Sequence, residues 1–184
     1  TLSGISIMGS LAKKQLSDPQ TSGILVDRIM DDVRQISSSI DDIVWNISPK
    51  NDSLSSLIAR MTRYASELFE AKFISFKIDV PETVDGVKLS MEQRRNIYLI
   101  FKESVNNLVK YSKCTEAFVG IGISNGHLHL TIRDNGIGFD PAAPTDRNGL
   151  RNLKDRAHHL KGRIEIQSTV GKGTSIQFQL PVHG

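Results

Sequence analysis

The sequence predicts an α+β fold, with a helical hairpin in front of a mixed, mostly antiparallel sheet covered on one face by helices. Three observations carry this expectation. A seven-residue apolar repeat runs through Leu25, Ile29, Val33, Ile36, Ile40, Ile43 and Ile47, the stripe of a long amphipathic helix. After residue 52 the periodicity changes, and the elements read in the order α, β, α, β, β, loop, α, β, β. Strand–helix–strand alternation does not recur there, so an all-parallel sheet is not expected.

Taken in order, Leu2, Ile5, Gly9, Ala12 and Leu16 repeat the helical spacing, and SDPQTSG (17–23) reads as a turn. Residues 1–48 therefore read as an antiparallel helical hairpin. Two helices cannot close a core alone. The stripe is expected to be buried against a second copy in a four-helix bundle, with Trp45 in or beside the seam. Packing of the hairpin on its own downstream domain is the alternative. SPKND (48–52) breaks the helix at Pro49, and Asp52 or Ser53 can cap the next one. The domain division expected is 1–50 for the hairpin and 51–184 for the rest.

The third helix carries Leu54, Leu57, Ile58, Met61, Ala65, Leu68 and Phe69, and FISFKIDVP (73–81) alternates like a half-buried strand. SMEQ (90–93) has the form of a capping box, in which Ser90 caps and Gln93 reaches back. It opens a helix expected to run through Tyr111, with Ile97, Ile100, Phe101, Val105 and Leu108 inward. Two strands flank Asn125-Gly126, a type I′ turn signal. A loop from Asp140 leads to a helix ending at Gly162, and a last hairpin turns at VGKG (170–173).

The composition narrows the function classes. With 39% hydrophobic and 23% charged residues the chain can bury a core. A net charge of +3 comes without any Lys/Arg block, so nucleic acid is not an expected partner. The one cysteine, Cys114, excludes an internal disulfide and fits a reducing compartment, as a buried inert thiol rather than a reactive one. The longest apolar runs fall short of the ~20 residues a membrane span needs. A start at Thr1, without an initiator Met or a signal peptide, reads as a helix under way and suggests a fragment of a longer chain.

Two stretches hold the chemistry. In FKESVNNLVKY, Glu103 and Asn107 lie four apart on one helical face, with Lys110 and Tyr111 three and four beyond. The amide oxygen of Asn107 and a water held by Glu103 suit Mg²⁺, and Lys110 suits phosphate oxygens. An ordinary amphipathic helix with a solvated face would look the same. In RDNGIGFD a strand ends at Asp134 and spends Gly136 and Gly138 at once. That is either a turn, or a backbone that must come close to a ligand with one carboxylate aimed at it. Gly149 opens a helix, where free N–H groups favour phosphate. Gly171 and Gly173 suit hairpin geometry better than ligand contact. His127 and His129 share a strand face, but without a third ligand nearby a solvated strand is the preferred reading. His158 and His159 are adjacent and diverge on a helix.

Together the motifs are specific. E-x-x-x-N-x-x-K-[HY], D-x-G-x-G-F, N-G-L-x-N-L and G-x-G-T occur in that order, on a helix, two loops and a hairpin. Over residues 54–184 the chain resembles the GHKL ATPase superfamily, which includes gyrase B, Hsp90, MutL and histidine kinases. Its α/β sandwich is the fold the resemblance implies. The hairpin in front is similar to the dimerisation and phosphoacceptor hairpin of bacterial two-component sensor histidine kinases, in the subfamily of the nitrate and membrane-fluidity sensors. ISPKNDSLSSLIARM and a short lid, PAAPTDRN, resemble that subfamily too.

The resemblance implies an ATP-dependent protein-histidine kinase using Mg²⁺. Asp134 would accept from the adenine amino group, and Gly136 and Gly138 would make room for the nucleotide. Asn107 would hold Mg²⁺, Glu103 would act as general base, and Lys110 would lie near the phosphates. Tyr111 stands where many relatives have His. Gly149 and Leu150 would hinge the lid and give N–H groups to phosphate, Thr174 would close the adenine pocket, and Phe139 would anchor the lid. The acceptor histidine is expected a few residues upstream of Thr1, since His127, His129, His158, His159 and His183 all lie outside the hairpin. The implied partners are a second copy and the receiver domain of a response regulator. The implied place is the cytoplasmic part of a membrane-anchored parent, this fragment itself making no membrane contact. The alternatives are a GHKL serine kinase of the anti-sigma type, a degenerate dimeric nucleotide-binding scaffold, and DNA-linked ATPase work that would expect a transducer domain.

Overall fold

In the computed structural model, the described residues are 2–15, 18–47, 53–81, 84, 87–141 and 149–182. The chain divides into two compact units, Thr1–Ser48 and Pro49–Gly184.

The first unit is two helices, α1 (Leu2–Lys14) and α2 (Pro19–Ile47). The second helix begins inside the stretch SDPQTSG, at Pro19. Proline is preorganised for the first helical position, where its missing N–H costs nothing. Asp18 caps the helix: its carboxylate accepts from the Gln20 and Thr21 N–H groups at 3.2 and 3.3 Å and from the Thr21 hydroxyl at 2.5 Å. Those bonds, the hydroxyl's first, hold Asp18 below the usual carboxylate range. Ala12 is buried, Leu25, Ile29, Ile36 and Trp45 are half-buried, and Val33, Ile40 and Ile43 are exposed. Much of the heptad stripe on α2 thus faces solvent in the single chain.

The second unit is a five-stranded sheet backed by three helices. Its elements are α3 (Leu54–Ala71), β1 (Ser75–Asp79), α4 (Met91–Asn107), β2 (Glu116–Ser124), β3 (His127–Asp134), α5 (Gly149–His159), β4 (Arg163–Ser168) and β5 (Thr174–Pro181). The strand order is β1-β2-β3-β5-β4. The β1–β2 pair is parallel and the other three are antiparallel. Period-2 alternation decides the faces: Leu128, Leu130 and Ile132 are buried toward the helices, while His127, His129, Thr131 and Arg133 take the other face. Ile176, Phe178 and Leu180 on β5 repeat the pattern. The buried side chains of the helices are Leu54, Leu57, Met61 and Phe69 of α3, Ile97, Ile100 and Phe101 of α4, and Leu153 of α5; α3 lies against α4 and β1, α4 against β3 and α5, and α5 against β4. Burying each of these side chains contributes roughly 1.5–3 kcal/mol.

Local signals set the helix starts. Ser53 caps α3 by accepting from the Ser56 N–H at 3.1 Å; the 48–52 breaker lies outside the described residues. On α4 the capping box is complete: the Gln93 N–H donates to the Ser90 hydroxyl at 3.1 Å, and the Ser90 N–H donates to the Gln93 side-chain oxygen at 2.9 Å. At the β2–β3 turn, Asn125 and Gly126 both have positive φ, 50° and 71°, as a type I′ turn requires.

Three boundaries differ from expectation. The first strand is Ser75–Asp79 only, because Phe73 sits at φ 55° after α3, where the residue is 96% exposed. The last helix ends at His159, and the left-handed residue behind it is Lys161 (φ 57°), not Gly162. Gly162 is needed for another reason: a methyl there would lie 2.7 Å from the Gln179 carbonyl oxygen. The α-helix expected through Tyr111 stops at Asn107, and Leu108–Ser112 continue as a π-helical turn closed by Lys113 at φ 52°. Such turns are rare, and they re-aim the side chains that follow.

Candidate functional site

The cavity that matters lies between α4 with its π-helical turn and the bend that follows β3. It measures about 350 Å³. Its walls include Asn107, Leu108 and Tyr111 on one side and Asp134, Ile137 and Gly138 on the other, with Gly149, Leu150 and Thr174 at the ends. Ile132 and Ile176 form part of the lining. A cleft of this size with apolar walls and a few converging polar groups suits a small organic ligand.

Asp134 is the last residue of β3, half-buried, on the helix-covered side of the sheet. Burial pushes its carboxyl above the ordinary aspartate range, opposed by bonds from the Gly136 and Thr174 N–H groups; the Gly136 bond is 2.8 Å. The carboxylate is therefore held from behind by backbone donors while its outer edge meets the cavity.

The glycines explain how the backbone folds so tightly. Gly138 and Gly173 have φ of 58° and 78°, which side-chain-bearing residues rarely adopt. A methyl on Gly173 would run into the Asp134 carbonyl, and one on Gly138 into the Thr169 carbonyl. Gly173 is thus more than a hairpin residue: it lets the β4–β5 turn lie against the acid. Gly136 is buried under the Ser112 carbonyl, which would collide with a side chain there, and is not part of the cavity wall. That carbonyl accepts from the Ile137 N–H at 2.7 Å, and the Ile137 carbonyl accepts from the Gly171 N–H at 2.7 Å. The π-helical turn, the bend and the last hairpin are so clamped together.

On α4, the Asn107 amide donates to a Glu103 carboxylate oxygen at 3.2 Å. A carboxylate only accepts, so the amide must present its NH₂ to Glu103 and keep its oxygen for something else. Glu103 lies behind the cavity wall, beside Gly149, where an added methyl would come within 2.7 Å of its oxygen. Gly149 and Leu150 are the first residues of α5, whose leading N–H groups lack helical partners. Tyr111 reaches the wall although half exposed; Lys110 is exposed and stands outside it. The segment 142–148, which holds most of the expected lid, lies outside the described residues.

Several residues that the motif reading passed over hold this site. Asn135 accepts from the Thr115 and Glu116 N–H groups, both at 3.0 Å, and donates to the Thr115 hydroxyl at 3.0 Å. It ties the end of β3 to the start of β2. The Ser168 hydroxyl accepts from the Phe139 N–H at 2.9 Å. The Asx and Ser side chains at strand ends were the only signal for either, and that signal is common to most turns. Cys114 is half-buried nearby; burial, and secondarily the Asp134 charge, push its thiol up. His159 pairs with Glu92 at 2.5 Å, and the His129 ring lies 2.9 Å from the Ser124 hydroxyl. Among the described residues no three His, Cys, Asp or Glu side chains gather as a metal cage, and no helix is long and apolar enough to cross a membrane.

Comparison with known proteins agrees with this geometry. Residues 92–184 match the family described as histidine kinase-, DNA gyrase B- and HSP90-like ATPase. The chain is 31% identical over 106 residues to the sensor histidine kinase LiaS of Bacillus subtilis, covering 57% of this chain and 29% of that protein. It is 28% identical over 187 residues to a sensor-like histidine kinase of Chloroflexus aurantiacus, covering 97% and 31%. The chain thus spans less than a third of the length of these curated relatives. Among solved structures, the Acinetobacter baumannii histidine kinase AdeS superposes with a TM-score of 0.62 at 15% identity, over 98% of this chain and 96% of that one. The histidine kinase domain of an Erythrobacter litoralis blue-light activated kinase gives 0.61 at 18% identity, over 97% and 85%. At such identities the likeness speaks for the fold. The chain belongs to the histidine kinase-, DNA gyrase B- and HSP90-like ATPase family, and the relatives it resembles are sensor histidine kinases.

Proposed function

We propose that residues 51–184 are the ATP-binding catalytic domain of a two-component sensor histidine kinase, and that residues 1–50 are part of its dimerisation hairpin. One observation carries this: an acid anchored by backbone donors and an amide with a free oxygen face one apolar-walled cavity, from opposite sides. The family is one of ATPases, and the cavity suits the group. Ile132 and Ile176 suit a flat base, Asp134 suits its amino group, and the start of α5 suits phosphate.

The roles follow from this chain's own groups. Asp134 accepts from the adenine amino group. Gly136 and Gly138 keep the bend compact beside the base, and Thr174 closes that end. Asn107 offers its amide oxygen to Mg²⁺, a hard cation that takes oxygen ligands and keeps several waters. Glu103, held by the Asn107 amide, serves as the general base that takes the proton from an acceptor imidazole. Gly149 and Leu150 give backbone N–H groups to phosphate. Tyr111 donates from its phenol, and exposed Lys110 contributes charge at the mouth. Bound Mg-ATP supplies the phosphoryl group and the charge neutralisation; the protein supplies placement, the larger part of catalysis in phosphoryl transfer. The acceptor is a histidine on the hairpin of the longer parent, and the phosphate passes on to an aspartate of a response-regulator receiver domain. Dimerisation through α2 covers the exposed Val33, Ile40 and Ile43.

The test uses a chain extended upstream to include the acceptor. Labelled ATP should mark it, the label should be acid-labile as phosphohistidine is, and Asn107→Ala should abolish labelling while the dimer persists. An acid-stable phosphoprotein would indicate a serine kinase instead, and undiminished labelling of Asn107→Ala would remove the metal assignment.

A further inference from the structure

One polar row crosses the end of the sheet. Ser168 stands opposite Thr174, and Thr174 stands opposite Asp134, in the registers of β4–β5 and β5–β3. All three share the face that buries Ile132 and Ile176. Asp134 and Thr174 line the cavity; Ser168 stands one strand behind them.

The Ser168 hydroxyl has three partners. It accepts from the Phe139 N–H at 2.9 Å, lies 3.1 Å from the Gly173 carbonyl oxygen, and lies 3.0 Å from the Thr174 hydroxyl. A serine hydroxyl has one hydrogen and two lone pairs. A carbonyl can only accept, so the Ser168 hydrogen goes to Gly173. Its second lone pair then takes the hydrogen of Thr174. All the hydrogens are used in this arrangement. The opposite one would leave the Gly173 carbonyl with only a long bond from the Thr169 N–H, 3.4 Å. With its hydrogen turned back to Ser168, Thr174 shows the cavity lone pairs alone.

We propose that Ser168 is a specificity-determining residue, which fixes the Thr174 hydroxyl as an acceptor so that an amino-bearing purine is preferred to a 6-oxo purine. The proposal rests on the reading of the cavity as a purine triphosphate site. Asp134 and Thr174 then both offer acceptors at the base-reading end. An amino group brings two N–H donors to that end, directly or through a water. A 6-oxo purine brings an oxygen acceptor there and keeps one donor, its N1–H, so at least one of the two protein acceptors is left with lone pairs opposed, a mismatch that polar sites reject. Ser168 touches no ligand in this account; it acts through Thr174.

The test is a titration of this chain with ATP and with inosine triphosphate, the 6-oxo counterpart. The wild type should prefer ATP. In Ser168→Ala the Thr174 hydrogen is freed toward the cavity, and the ATP:inosine triphosphate affinity ratio should fall about fivefold or more. Ser168→Thr, which keeps the hydroxyl, should restore the ratio. Thr174→Val should lower it alone, and adding Ser168→Ala to that variant should change nothing further. Equal weakening of both nucleotides in Ser168→Ala, or an unchanged ratio in Thr174→Val, would overturn the proposal while leaving the nucleotide site intact. A wild type that binds neither nucleotide would overturn the site reading itself, and the proposal with it. Should Ser168→Ala not fold, Ser168→Cys, whose thiol accepts only weakly, takes its place: a lowered ratio supports the proposal and an unchanged one overturns it.

Discussion

Gly171 and Gly173 sit in the same hairpin turn with nearly the same φ, 79° and 78°, yet their surroundings differ. A methyl on Gly171 meets no atom within 4 Å, whereas one on Gly173 collides with the Asp134 carbonyl. Gly171→Ala therefore carries only the left-handed backbone penalty, about 1–2 kcal/mol. Gly173→Ala carries that penalty and an overpacking cost of about 1–3 kcal/mol, so roughly 2–5 kcal/mol in all. At about 2–4 °C per kcal/mol for a chain of this size, the two variants should differ in Tm by several degrees. The collision also pushes on the acid that faces the cavity. ATP affinity should fall about tenfold or more in Gly173→Ala and stay near wild type in Gly171→Ala. Thermal unfolding followed by circular dichroism, with nucleotide titration on the same samples, measures both. Equal destabilisation in the pair, or equal ATP affinity, would refute the claim that Gly173 is a contact glycine serving Asp134.

Two further outcomes are expected. Burial raises the Asp134 carboxyl above its unfolded value of ~3.9, so the folded state binds its proton at higher pH than the unfolded chain does. This group alone then favours folding as pH falls through the window between the two values, and disfavours it above. Asp134→Asn should remove that contribution. Its loss of ATP binding should no longer deepen on acidification, as that of the wild type does when the carboxylate protonates; identical pH profiles of binding in wild type and variant would argue against an ionised Asp134 as the reading group. In the first unit, Ile40→Asp with Ile43→Asp places two charges on the exposed stripe of α2. If this stripe is the proposed dimer contact, sedimentation should show the mass halving from dimer to monomer while helicity is largely kept; an unchanged mass would overturn dimerisation through it.

Much of the architecture was legible in short stretches. The Ser90–Gln93 box, the Asn125-Gly126 turn, the inward positions of α4 and the period-2 strands β2, β3 and β5 are all decided within a few residues, by caps, positive φ and periodicity. The same stretches misled at boundaries where a competing local effect won. Pro19 starts a helix inside a stretch of turn residues, and Phe73 turns out of the strand that its alternation predicts. Of the residues that the motifs singled out, Asn107, Tyr111, Asp134, Gly138, Gly149, Leu150 and Thr174 line one cavity. Spacing alone did not reveal that Lys110 stands outside it, because the π-helical turn breaks the face that α-helical spacing assumed.

What this sequence determined by itself is the set of elements and the chemistry they carry: a heptad helix, a capped helix with Glu103 and Asn107 on one face, and an acid at a strand end before two glycines. What only the tertiary structure decided is which distant backbones touch. Gly173 against Asp134, the Ser112 carbonyl against Ile137, and Ser168 between Phe139 and Thr174 all follow from the pairing of β3, β5 and β4. The reason is one of range. Propensity and capping act over about four residues, whereas a hydroxyl's partners across three strands are fixed only once the sheet has set its register.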